Sequence, residues 1–168
     1  MMVRDPMTET LDWYNANADA FADGAHAVDL SALRGAFTAE LAPGAHVLDL
    51  GSGSGRDALA FEAAGFSVTA LEPSEALARK VAAVIRGEVL RMPVGALDVD
   101  ARFDGVWACA SLLHVPRSET PDALARVLRS LVPGGVFYAS YKRGEAERWE
   151  AGRFFNDQND NGADNGEP

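Results

Sequence analysis

Residues 47–57, VLDLGSGSGRD, constrain the fold more than any other stretch of the chain. A short apolar run from Val47 to Leu50 carries an aspartate, glycines follow at 51, 53 and 55, and a helix can start at Arg56. A strand that enters a glycine turn and leaves as a helix is the first half of a crossover unit, whose next strand lies parallel to the first. The unit then repeats. A helix over 56–64 meets Gly65 where a left-handed residue ends helices, and Ser67–Leu71 reads as a second strand. Ser74 caps a helix running to 85, with Leu77, Val81, Val84 and Ile85 on one stripe. Glu88–Leu90 is a weak third strand, and Phe103–Cys109 a fourth whose apolar run suits burial on both faces. Thr120 caps the next helix and Pro121 opens it; Leu124, Val127, Leu128 and Leu131 give it a core face. Pro133-Gly134-Gly135 ends it before a fifth strand, VFYASY.

This alternation predicts an α/β, Rossmann-like, doubly wound and mostly parallel sheet with five recognisable strands and helices on both faces. Ligands of such sheets bind at the carboxyl ends of the strands, near the switch point, which puts a ligand at the glycine turn. Two helical segments, at 8–21 and 31–41, precede the sheet as a cover. The 168 residues form one domain by size, taken as residues 1–155. From residue 156 the chain has acids, no base and no bulky apolar side chain, so 156–168 reads as an acidic disordered tail. The formal charge of −10 argues against nucleic-acid binding and favours a small-molecule substrate. Cys109 is the only cysteine, so no intrachain disulfide and no metal site are expected. Without an apolar signal core or a membrane-length stretch, no membrane partner is expected and the chain reads as cytoplasmic.

Spacing decides which nucleotide the glycine turn suits. A dinucleotide fingerprint, G-x-G-x-x-G, needs its third glycine where Arg56 stands; here the glycine comes one residue early, at 55. A phosphate-binding G-x-x-x-x-G-K loop needs a lysine, and this stretch has none. The match is instead to D-x-G-x-G-x-G. Asp49 at the strand end suits a cationic amine better than a pyrophosphate, and the glycines allow close backbone approach. Glu72, ending the second strand in ALEPS, is placed to accept both hydroxyls of a ribose. An amine, a ribose and no phosphates describe S-adenosylmethionine.

At these segments the chain resembles the class I S-adenosylmethionine-dependent methyltransferases, small bacterial type. VLDLGSGSGRD is similar to their first motif, VTALEPS to their second and FDGVWACASLLHVP to the segment after the fourth strand. LVPGGVFYASYKRGE resembles the fifth-strand region, and WYNANADAFA the N-terminal helix through which small members cover the cofactor with a tyrosine. The resemblance spans residues 10–155, and ordered motifs make it more specific than one glycine turn. It implies that Asp49, Gly51, Ser52, Gly53 and Gly55 hold the methionyl part of the cofactor and that Arg56 frames the turn. Glu72 is implied at the ribose, Pro73 and Ser74 beside the adenine, and Met92 on the adenine face. Ala110, Ser111 and His114 are implied near the sulfonium. His114 as a base and Tyr14 as a cover are the two catalytic candidates, and the implied activity is methyl transfer to a small-molecule acceptor. One departure is visible: members carry an acid just before the leucine of the third-strand loop, where this chain has Ala96 before Leu97, with Asp98 after it.

Other readings stay open beside these. His114 and Tyr14 read equally well as structural residues, while Cys109, Trp107 and Trp13 read as packing. Arg143, Arg148 and Arg153 are either solvated surface charge or an attraction for an acidic substrate. Members of the family carry seven strands, the last two forming a hairpin that adds an antiparallel strand beside the fifth. Only five are legible here, so that hairpin is expected to be missing and VFYASY to form an apolar sheet edge. A homodimer through that edge, or cover by residues 149–155, would protect it. The same shortening keeps an alternative function open: a module that binds S-adenosylmethionine or S-adenosylhomocysteine without transfer.

Overall fold

A computed structural model describes residues 5–159. Three helices come first, α1 (Pro6–Ala16), α2 (Ala18–His26) and α3 (Ser31–Ala39). The alternating unit follows as β1 (His46–Leu50), α4 (Arg56–Ala63), β2 (Ser67–Leu71), α5 (Glu75–Val84), β3 (Glu88–Leu90), β4 (Phe103–Cys109), α6 (Thr120–Ser130) and β5 (Leu131–Ser140). The five strands form one parallel sheet in the order β3-β2-β1-β4-β5. The order reverses between β1 and β4, and their carboxyl ends border the crevice that such a reversal opens.

The sheet is buried on both faces, which is why its strands read as unbroken apolar runs rather than alternating ones. Along β1 and β4, Val47 and Trp107 pack on one side with Phe37, Phe61 and Val81, while Leu48, Val106 and Ala108 pack on the other with Leu97, Leu112 and Val127. Fully burying each of the larger side chains stabilises the fold by about 1.5–3 kcal/mol.

Several expectations are corrected. The first helix breaks at Asn17, whose Nδ2 donates to the Trp13 carbonyl (2.8 Å) and whose backbone leaves the helical region. Short amide side chains compete in this way for helix carbonyls. Pro133-Gly134-Gly135 lies within β5 rather than before it. Residues 132–135 bulge opposite Asp104 alone, because Phe103 pairs with Leu131 and Gly105 already with Val136.

The third correction concerns the C-terminal hairpin, which is present. β6 (Glu147–Glu150) and β7 (Arg153–Asn156) pair antiparallel across a tight turn in which Ala151 and Gly152 both have positive φ. The hairpin forms its own two-stranded sheet and packs on α1 and on the turn Leu112–His114, adding nothing to the main sheet. The outer edge of β5 therefore has no strand beside it among the described residues. The tail boundary moves as well. Asn156 is fully buried and donates to the Val115 carbonyl (3.1 Å), Asp157 is buried against Arg148, and the Gln158 backbone bonds Lys142 and Gly144. Polar residues are buried here because each has a partner. Residues 160–168 of the expected tail lie outside the described residues.

Candidate active site

At the carboxyl ends of β1, β2 and β4 lies a cavity of about 410 Å³. Its floor is built by the glycine turn. The N–H groups of Gly51 and Ser52 both donate to the Leu71 carbonyl (2.7 and 3.1 Å), clamping the turn onto the end of β2. Gly51 holds φ at +73°, and a β-carbon there would stand 2.3 Å from that of Ser111, so only glycine lets the turn and the end of β4 meet.

Two acids face this space. Asp49 is 2% exposed, and its Oδ2 has no hydrogen-bond partner among the described residues. The hydroxyls of Ser52 and Ser111 are equally buried and equally unpartnered. Burial, followed by the nearby Asp57 and Glu72 carboxylates, pushes the Asp49 carboxyl well above its usual range. Glu72 accepts from Gly53 N–H through Oε2 (2.8 Å) and from Ser74 N–H through Oε1 (2.9 Å). Burial still pushes it up to about 7, against the pull of those donors. Buried carboxylates with spare acceptor capacity are costly unless a cation or donors complete them. The donor set therefore fits a ligand that brings an amine and hydroxyls.

Most of the residues expected in the site border the cavity: Asp49, Gly51, Ser52, Gly53, Arg56, Glu72, Pro73, Ala110, Ser111, His114 and Tyr14. Gly55, Ser74 and Met92 do not. Gly55 is the left-handed N-cap of α4, and a β-carbon there would stand 3.4 Å from the Val81 backbone of α5. Ser74 caps α5 by accepting from Leu77 N–H (3.2 Å) and donates to Asn15 Oδ1 (2.8 Å), which fastens α1 over the sheet. Met92 packs into the core, and Pro93 and Val94 occupy the wall in its place. Arg56 does frame the turn: it grips Asp57 and donates to the Ala25 carbonyl of α2 (2.7 Å). Asp57, not anticipated as a site residue, also accepts from Arg34 and from Trp107 Nε1 (3.0 Å), anchoring the floor to the core.

The roof comes from three distant parts of the chain. His114 Nδ1 lies 2.7 Å from the Phe154 carbonyl of β7, and its Nε2 lies 2.8 Å from the Tyr14 hydroxyl. A carbonyl only accepts, so Nδ1 carries the proton and the Nε2 lone pair takes the Tyr14 O–H. Burial pushes His114 down to about 4, with the Arg153 and Lys142 charges acting the same way. The imidazole is thus neutral, and it has no free lone pair for another proton. Burial also raises the Tyr14 phenol, partly offset by the adjacent Arg153 guanidinium. Phe21 of α2 completes the cover, edge-on to Tyr14 at 5.0 Å.

Beyond the roof, β7 and the end of β5 contribute Tyr141, Lys142 and Phe155, which sequence reasoning did not place in the site, and Arg153, which it left open as an attraction for an acidic substrate. A signal was available. The segments ERWE and RFFN flank the two-residue link Ala151-Gly152, a hairpin pattern.

A parallel sheet with this strand order, a D-x-G-x-G-x-G turn and an acid closing β2 define a class, and the chain belongs to it: the methyltransferase domain family, whose model matches residues 47–135. The O-methyltransferase resE of Aspergillus sclerotiorum is 35% identical over an alignment of 100 positions that covers 54% of this chain and 37% of that protein. The chain thus spans little more than a third of that relative's length. Among solved structures, the Burkholderia thailandensis 1,6-didemethyltoxoflavin-N1-methyltransferase is 26% identical with a TM-score of 0.70, over 97% of this chain and 77% of that one. That structure holds 1,6-didemethyltoxoflavin and S-adenosylhomocysteine. The [4+2]-cyclase SpnF is 27% identical with a TM-score of 0.60, over 74% of this chain and 50% of that one. Among the described residues no helix is long and apolar enough to cross a membrane.

Proposed function

We propose that the protein is an S-adenosylmethionine-dependent methyltransferase acting on a small molecule. The observation that carries this reading is the pair of buried carboxylates, Asp49 and Glu72, facing one cavity with an oxygen of Asp49 unpartnered. Bound S-adenosylmethionine supplies a methyl group already attached to a good leaving group, a sulfonium. Asp49 Oδ2 would then accept from the amine, with the Ser52 and Ser111 hydroxyls beside it. Glu72 would accept from the ribose hydroxyls through the lone pairs its two backbone donors leave free. Pro73 and Val94 offer apolar wall to the adenine. Asp98 is tied to Arg129 at the surface and does not replace the acid that relatives place near the adenine amine. Tyr14 and Phe21 close the cavity against water, so the protein's main contribution is alignment and exclusion.

A second reading, binding without transfer, is favoured by one observation: His114 has no free lone pair with which to serve as a base. Calorimetric titration with S-adenosylmethionine, S-adenosylhomocysteine and NAD tests both readings, followed by S-adenosylhomocysteine release over a panel of acceptors. The first two are expected to bind and NAD to fail. Asp49→Ala should weaken them by about ten- to a hundredfold, the value of a hydrogen bond to a charged group. Binding of NAD alone would overturn the cofactor reading. Binding without transfer to any acceptor would favour the second.

Two finer points belong with this proposal. The unpaired outer edge of β5 supports a homodimer joined strand to strand, and sedimentation velocity of a single monomeric species would count against it. The single, unpaired thiol of Cys109 supports a reducing, cytoplasmic setting.

A further inference from the structure

The cavity has two electrical ends. Its floor holds Asp49 and Glu72, whereas Arg153 and Lys142 stand at the roof, close enough for both to act on His114. The two cations differ. Lys142 pairs with Glu150 (3.2 Å), and the neighbouring Arg148 pairs with Asp157 and Glu150. Arg153 pairs with no carboxylate among the described residues, and its Nε is buried without any partner. Its guanidinium is held instead by ring faces, 4.1 Å from the Trp13 centroid, 5.1 Å from Phe155 and 5.7 Å from Tyr14. That Nε N–H, buried without a partner on a residue that borders the cavity, is left for an oxygen acceptor. The same cavity is also lined by Met7, Leu11, Tyr141 and Phe155, apolar and aromatic side chains that suit a flat ring.

Resting on the methyltransferase reading above, we propose that the methyl acceptor is a flat hydroxy-aromatic that reaches the site as its oxyanion, and that Arg153 holds that anion. An anionic acceptor also resolves the absence of a base. The oxygen lone pair forms the new bond to the methyl carbon, and the carbon–sulfur bond breaks with its electron pair left on sulfur. A cation and an anion are consumed together, giving a neutral ether and a neutral thioether. The hydroxyl proton leaves to solvent on ionisation and the transfer step itself releases none, so nothing is asked of His114 beyond orienting Tyr14. Arg153 does by charge what a general base would do by proton transfer: it shifts the hydroxyl toward its reactive form before the methyl moves.

4-Nitrophenol is the probe, because its anion absorbs visible light and its neutral form does not. On protein saturated with S-adenosylhomocysteine, bound 4-nitrophenol is expected to ionise about one pH unit lower than in free solution, a tenfold preference for the anion. Arg153→Gln should abolish the shift and Arg153→Lys should keep part of it. Both variants should hold S-adenosylhomocysteine within about twofold of the wild type, since Arg153 lies at the opposite end of the cavity from Asp49. Three results overturn the inference while leaving the cofactor reading intact: no lowering on binding, the same lowering in Arg153→Gln, or no saturable binding of the probe. Failure of S-adenosylhomocysteine to bind the wild type overturns the cofactor reading, and this inference with it.

Discussion

Position 51 admits no side chain larger than hydrogen, because Ser111 already occupies the space a β-carbon would need. Gly51→Ala meets both that contact and a left-handed backbone, and is expected to destabilise the protein by about 1–3 kcal/mol, read from denaturant midpoints. Adding Ser111→Gly should recover the steric part and leave the backbone part. A second expectation at this scale concerns pH. Folded Glu72 keeps its proton up to about 7, while the unfolded chain releases it near 4.5. The folded state therefore binds more protons in that window, and stability falls as pH rises across it. Asp49, raised in the same direction, adds to the fall. His114 acts oppositely: it loses its proton at about 4 when folded and near 6.5 when unfolded, so its contribution grows as pH rises. Opposed slopes flatten the wild-type profile. Compared with the wild type, melting temperatures between pH 4 and 7 should fall less steeply with rising pH in Glu72→Gln and more steeply in His114→Gln. Ligand affinity has its own sign: S-adenosylhomocysteine should bind more tightly as pH rises through about 7, where Glu72 ionises, and less so in Glu72→Gln.

Among the elements, the hairpin is the one on which the site depends and the sequence was least informative. Asn156 fastens it, giving its amide to Val115 and taking a donor from Arg117 (3.0 Å). Asn156→Ala would leave a buried carbonyl unsatisfied, at about 1–3 kcal/mol. Faster hydrogen exchange in β6, β7 and α1, with β1 and β4 unchanged, is the expected outcome. The contrast with the sheet explains what was legible. β2 and β4 stand where their apolar runs put them, because burial on both faces leaves an unambiguous pattern. Asp49 and Glu72 were legible for a related reason: a strand end in this topology points its last residues at the crevice. The hairpin offered no such pattern. Only Phe154, Phe155 and Asn156 of it are buried, and its polar groups find their partners far away in sequence, as with Phe154 N–H on Thr10 or Asn156 on Val115. Arg153 was read together with Arg143 and Arg148, as solvated surface charge or an attraction for an acidic substrate. Only the packing of α1 against β7 separates it from Arg148. Ser74 and Met92, which the resemblance alone put beside the adenine, do not border the cavity, whereas Pro73, Pro93 and Val94 do.

At the scale of the whole molecule, binding and stability are one measurement. S-adenosylhomocysteine at a hundredfold its dissociation constant should add about 2.7 kcal/mol to the folded state and raise the melting temperature accordingly. Asp49→Ala at the same concentration should gain much less. The roof also has a history in each molecule that is made. The sheet is complete once β5 has emerged during synthesis, and its partners are close neighbours in sequence order. The bonds that close the cavity join Tyr14 to His114 and His114 to Phe154, and Thr10 waits for the N–H of Phe154. Contacts of such long sequence separation form late. The first helix is thus made earliest and seated last, because its seat is not complete until Phe154 has followed the strands of the sheet out of the ribosome.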